Sequence, residues 1–137
     1  MREADAPLPR HINHPEDAAQ LALELAHAYD DDKERFWVVL LNTKHHYVMH
    51  TEVSVGTLSA SLVHPRGVFG PAVREGASSI LCVHNHPSGE PEPSLEDRAL
   101  TTRLKECGTL LGIEILDHVI VGNGTRRWVS FRDRGDL

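Results

Sequence analysis

The stretch Ser78-Ser79-Ile80-Leu81-Cys82-Val83-His84-Asn85-His86-Pro87-Ser88-Gly89-Glu90-Pro91-Glu92-Pro93-Ser94-Leu95-Glu96-Asp97 decides how this chain is read. Ser78 to Val83 is a short run of small and apolar residues, the pattern of a buried strand. Pro87, Pro91 and Pro93 oppose regular structure and Gly89 permits a tight turn, so His84 to Pro93 reads as a loop. Ser94 then opens a helix. Leu100, Leu104, Cys107 and Leu111 form its apolar stripe, and Gly108 and Gly112 mark its frayed end.

Side chains two apart on an extended segment share a face. His84 and His86 therefore aim their imidazoles at a common point just past the strand. Asp97 lies in the first turn of the helix that follows and is placed to face the same point. Two imidazoles and one carboxylate with a fourth position open is the donor set of a catalytic zinc. Closed structural sites use four protein ligands, mostly cysteine; here there are only Cys82 and Cys107, both in regular elements, which excludes one.

An open zinc site acidifies its water and polarises a carbonyl oxygen. It then needs a carboxylate nearby, not bound to the ion, as base. Glu24 lies within the first helix, Glu34 at the mouth of the central strand, and Glu52 at the end of the second strand. Composition and spacing do not choose among them. Ser94 with Asp97 three residues later is a Ser-x-x-Asp capping pair, worth ~1 kcal/mol. A second role for the Ser94 hydroxyl is to face the metal-bound water or the developing oxyanion.

Outward from this stretch, Pro15 opens a helix whose stripe is Ala18, Leu21, Ala22, Leu25 and Tyr29. Asp30, Asp31 and Asp32 put negative charge at the wrong end for the helix dipole and stop it. Arg35 to Leu41 reads as a central strand covered on both faces. His46 to Glu52 reads as a second strand, 54–63 as loop, and His64-Pro65 to about Gly76 as a helix with Val68, Phe69, Ala72 and Val73 on one side. Ile113 to Val121 is a strand, Asn123-Gly124 a hairpin turn, and Trp128 to Phe131 a last strand. The order predicts an α/β layered domain: a mixed, mostly antiparallel sheet flanked by helices. Residues 1–14 read as a loose arm and 15–137 as one domain.

The chain has 137 residues, enough for one core, and 40% of them are apolar, which argues against disorder. The longest apolar run, Phe36 to Leu41, is far short of the ~20 residues of a membrane helix. The N-terminal sequence has no apolar core of a signal peptide, so the expectation is cytoplasmic. Fourteen basic against twenty acidic residues give a net charge of −6, which argues against nucleic acid as partner. Arg126, Arg127, Arg132 and Arg134 are read as a solvated tail.

The pattern His84-x-His86, seven residues, Ser94, two residues, Asp97 resembles the JAMM signature of MPN-domain (JAB) zinc metalloproteases. The string His84 to Pro91 and the later Leu116-Asp117-His118 resemble the RadC-like bacterial branch, over about residues 15–133. The resemblance implies an MPN/JAMM-type domain with Zn2+ held by His84, His86 and Asp97, and with Ser94 assisting the tetrahedral intermediate. It implies a general-base glutamate at the start of the first strand, matched best by Glu34 with Glu52 in reserve. The substrates it implies are proteins or peptides with amide or isopeptide bonds, ubiquitin-like tails among them. The branch carries a DNA-repair name, and its full-length members usually add an N-terminal helix-hairpin-helix portion; only about 14 residues precede the first helix here.

Four other readings stand beside this one. A surface pair of histidines explains His84 and His86 but not Ser94 and Asp97 in register. His-Asn-His has the letters of an HNH nuclease, but those enzymes spread the three residues over a ββα unit. A binding module without catalysis, in repair or mobile-element biology, remains the alternative class, with a metal-dependent nuclease third. His118 reads as a strand histidine satisfied by hydrogen bonds, and Cys82 as a buried inert thiol.

Overall fold

Alternation along the first strand sorts the core into two layers. In the computed structural model, which describes residues 10–29, 31–56 and 63–137, β1 spans Glu34–Leu41. Trp37, Val39 and Leu41 point to one face and Phe36, Val38 and Leu40 to the other, and all six are fully buried. A strand apolar on both sides needs cover on both sides.

That cover comes from helices. On one face α1 (Pro15–Ala28) lays Ala18, Leu21, Ala22 and Leu25 against Trp37, Leu81, Val83 and Val119. On the other, α2 (Pro65–Glu75) and α3 (Leu95–Leu111) bring Val68, Phe69, Ala72, Leu100 and Leu104 against Phe36, Val38, Ile80 and Cys82. The remaining strands are β2 (Tyr47–Gly56), β3 (Ser79–His86), β4 (Glu114–Gly122) and β5 (Trp128–Ser130). The sheet order is β2-β1-β3-β4-β5. Only β3 and β4, joined through α3, run parallel; the other pairs are antiparallel. The expected α/β layered domain with a mixed, mostly antiparallel sheet is therefore what forms.

Several local expectations change. β3 does not stop at Val83 but runs through His84, Asn85 and His86, because these residues pair with β4 out to Gly122. β2 continues to Gly56; the rest of the stretch expected to be loop lies at 57–62, outside the described residues, and Val63 is buried. Val73 and Leu111, assigned to apolar stripes, are 58% and 51% exposed. Gly108 does not lie in a frayed end: it is a buried residue of α3, where a Cβ would sit 2.5 Å from the Ile113 carbonyl oxygen. Ile12, expected in the loose arm, is 2% exposed and joins the α1-side core, where Arg10 to Ile12 bridge His45 to Tyr47.

A bulge between Ile80 and Leu81 sets what β4 shows to the site. Ile80 pairs with Ile115 but Leu81 with Asp117, so Leu116 is an extra residue. Ile115 and His118, an odd number apart, consequently share the α3-side face; in an unbroken strand they would point oppositely.

Candidate metal centre

β3 carries His84 and His86 on its α3-side face, with ring centroids 4.8 Å apart. His84 is wholly buried, while 16% of the His86 side chain reaches solvent. β1 pairs with β3 so that Phe36 faces His84, and this register brings Glu34, two residues earlier, to the same end of the sheet. Glu34 Oε2 lies 3.1 Å from His84 Nε2. One ligand atom each from Glu34, His84 and His86 fall within 4.8 Å of one another, a group that could hold a metal ion. Asp97, in the first turn of α3, adds Oδ1 at 3.5 Å from His84 Nε2 and Oδ2 at 3.2 Å from His86 Nε2.

The protonation of His86 tests whether these residues suit a cation. His86 Nδ1 is 2.8 Å from the Glu90 carbonyl oxygen. A carbonyl only accepts, so Nδ1 carries the hydrogen and a neutral ring leaves its lone pair on Nε2. That lone pair faces the Asp97 carboxylate. Two acceptors in contact repel unless a positive charge, proton or metal, lies between them. The charges agree. Burial opposes ionisation of Asp97, but the His86 hydrogen bond, the nearby His84 and the Ser94 N–H outweigh it and hold its carboxyl well below the usual range. Burial likewise opposes charge on His86, yet Asp97 and the Glu90 carbonyl raise its pKa above the ordinary value. The pocket thus attracts positive charge, and its nitrogen and carboxylate donors suit zinc.

Ser94 is seen in its capping role. Its Oγ accepts the Asp97 N–H at 3.0 Å, and Asp97 Oδ2 accepts the Ser94 N–H at 2.8 Å. The reciprocal pair fixes the oxygen that Asp97 turns toward His86. The two other glutamates are engaged elsewhere: Glu52 accepts from Arg35 and Glu24 from Arg10. Glu34 is the one of the three that the fold brings to the histidines.

Two supporting residues, Asn85 and Thr101, escape a reading of the sequence. Asn85 points to the α1-side face between the two histidines. Its Oδ1 accepts the Arg35 N–H at 2.7 Å, and its Nδ2 donates to the Lys33 carbonyl at 3.0 Å and to Asn123 Oδ1 at 2.8 Å. A polar residue alternating inward beside two histidines is the signal that points to it. His118 is a hydrogen-bonded strand histidine, as expected; what the sequence hides is its partner, His84 Nδ1 at 3.3 Å, and Thr101 Oγ1 on its other side at 2.6 Å. Burial, then the neighbouring His84, pushes His118 down to about 3, so the ring is neutral. Cys82 is 1% exposed, and burial followed by the Asp117 charge pushes its thiol up to about 12, which makes it unreactive.

A sequence profile of the RadC-like JAB domain matches residues 12–136. A UPF0758 protein of Shouchella clausii is 46% identical over 124 residues, which are 90% of this chain and 52% of that protein. One of Rubrobacter xylanophilus is 56% identical over 106 residues, 77% of this chain and 45% of that protein. One of Chlorobaculum tepidum is 53% identical over 108 residues, 79% of this chain and 48% of that protein. The chain spans about half the length of these curated relatives. No described helix is long and apolar enough to cross a membrane. The chain belongs to the RadC-like JAB domain family, the RadC-like branch of the JAMM/MPN proteins.

Proposed function

We propose that this domain is a zinc-dependent hydrolase of peptide or isopeptide bonds. The observation that carries the reading is His86 Nε2 lying 3.2 Å from the Asp97 carboxylate while its Nδ1 faces the Glu90 carbonyl, beside His84 and Glu34: a neutral His86 would set two acceptors together, so the contact calls for a positive charge, proton or metal. His84, His86 and Asp97 hold the ion, and a corner is left for solvent.

A bound zinc supplies Lewis acidity to water and to a substrate carbonyl. Glu34 sits at the rim, with 24% of its side chain exposed, as a base must if it is to meet both water and substrate. Its carboxylate takes a proton from the attacking water and delivers it to the leaving amide nitrogen. The Ser94 hydroxyl accepts from Asp97 N–H, and its own proton donates to the oxygen that gains negative charge. The substrate class is a protein or peptide, including ubiquitin-like tails. The compartment is the cytoplasm.

One observation favours a second role for Glu34. The three ligand atoms that all fall within 4.8 Å of one another come from Glu34, His84 and His86, a group that includes Glu34 and not Asp97. If Glu34 is a ligand, Glu34→Gln loses zinc; if it is the base, the variant keeps zinc and loses turnover. The test is zinc content together with hydrolysis of a peptide and ubiquitin-like substrate panel by wild type and Glu34→Gln. The reading expects bound zinc in both proteins and a rate lower by ~10²–10⁴ in the variant. Equal rates, or wild type without zinc, would contradict it.

A further inference from the structure

Behind His84 runs a buried chain of three polar side chains. His84 Nδ1 is 3.3 Å from His118 Nε2, His118 Nδ1 is 2.6 Å from Thr101 Oγ1, and Thr101 Oγ1 donates to the Asp97 carbonyl oxygen at 2.8 Å. His84, Thr101 and His118 are 0%, 4% and 1% exposed. Water is therefore not at hand to satisfy a mismatched group, and each donor must meet an acceptor within the chain.

The direction of the chain is set at its far end. Thr101 spends its only hydrogen on the Asp97 carbonyl, so toward His118 its oxygen can only accept. His118 must then carry its hydrogen on Nδ1 and present a bare Nε2. Against a bare Nε2, His84 must carry its own hydrogen on Nδ1. The lone pair of His84 is thereby left on Nε2, the atom beside Glu34 and Asp97.

We infer that Thr101 and His118 are positioning residues whose hydrogen-bond chain fixes the tautomer of His84, so that Nε2 is bare and aimed at the metal. The inference rests on the zinc reading above. His86 reaches the same state by a different route, through the Glu90 carbonyl, so the two imidazoles are prepared independently. The chain also ties His84 back to Asp97: Thr101 grips the main-chain carbonyl of the residue whose carboxylate is the third ligand. An outer partner of this kind typically changes metal affinity by 10–100-fold when removed.

The bulge at Leu116 is what makes the chain reachable, since it turns His118 to the α3 side of the sheet. Phe36 and Phe131 pack on the His118 ring, the latter stacked at 4.6 Å, and hold its plane.

The experiment uses the whole chain, zinc ion as the probe, and two readouts. Imidazole nitrogen spectra of the zinc-loaded wild type report the tautomers directly. The expected pattern is a protonated Nδ1 on both His84 and His118, with zinc on Nε2 of His84. Zinc dissociation constants, by chelator competition, are compared for wild type, Thr101→Val and Thr101→Ser, with folding checked by circular dichroism. Thr101→Val is expected to bind 10–100-fold more weakly, and Thr101→Ser, which keeps the hydroxyl, within a few-fold of wild type. A loaded protein with His118 protonated on Nε2, or a Thr101→Val protein that binds as wild type does, overturns the inference while leaving the zinc site standing. A wild type that takes up no zinc overturns both.

Discussion

Asn85 brackets Glu34: it accepts from the N–H of Arg35 at 2.7 Å and donates to the carbonyl of Lys33 at 3.0 Å, the residues on either side. The middle residue of His-Asn-His thus points away from the site and fixes the strand end that delivers the proposed base. Asn85→Ala removes three partly buried hydrogen bonds and leaves two main-chain groups to find other partners, which costs about 1–3 kcal/mol. The expected outcome is a lowered Tm, zinc retained, and a kcat reduced by ~10²-fold through misplacement of Glu34. Unchanged kcat in a folded, zinc-loaded Asn85→Ala protein would refute this bracket.

The loop after β3 is held against β4 with no space to spare. A Cβ on Gly122 would fall 2.0 Å from the Gly89 carbonyl oxygen, which is backbone and cannot swing aside. Gly122→Ala must displace the loop that presents the Glu90 carbonyl to His86. The expected outcome is a loss of about 1–3 kcal/mol and weaker zinc binding. Thermal denaturation and zinc titration on the same preparation check both.

Ser94 has two separable jobs. Ser94→Ala removes the acceptor for Asp97 N–H and costs ~1 kcal/mol, whereas Ser94→Gly costs a few tenths. Neither variant keeps a hydroxyl. If the hydroxyl meets the oxyanion, kcat falls in both by a similar factor while Tm falls mainly in Ser94→Ala. Turnover restored in Ser94→Gly would reduce Ser94 to a cap.

Away from the site, Asp17 Oδ2 accepts the N–H groups of Asn13 and His14 at the start of α1, at 2.9 and 3.0 Å. Burial opposes its charge, but these bonds outweigh burial and lower its pKa from 3.8. A depressed folded value means the stabilisation is present above the unfolded pKa and is lost as pH falls through the folded one. Asp17→Ala is expected to cost ~1 kcal/mol at neutral pH, with the two proteins converging in acid well below 3.8. A gap in Tm that persists into strong acid would contradict the charged cap.

Much of this architecture is legible in the amino-acid sequence alone. Continuous apolar runs at Phe36–Leu41 and Ile80–Val83 mark two central strands, because strands buried on both faces leave no polar alternation to misread. His84, His86, Ser94 and Asp97 are picked out as candidates by spacing, since a strand end and the first helical turn have fixed geometry. Glu34 is not: its place depends on the antiparallel register of β1 and β3, a long-range pairing that local periodicity does not encode. The tie between His118 and His84 is hidden by the one-residue bulge at Leu116, which reverses the facing of everything after it. Val73 and Leu111 are misplaced by periodicity because apolar spacing at a helix end does not say whether a neighbour reaches that far.

The proposed chemistry stands on two imidazole nitrogens and one aspartate meeting around a single ion. Anomalous diffraction at the zinc absorption edge, from crystals grown with zinc, tests it most directly. One strong peak is expected ~2.0–2.2 Å from His84 Nε2, His86 Nε2 and a carboxylate oxygen of Asp97, with Glu34 outside bonding distance and one corner open to solvent. A peak elsewhere, coordination through either Nδ1, or a fourth protein atom closing that corner would contradict it.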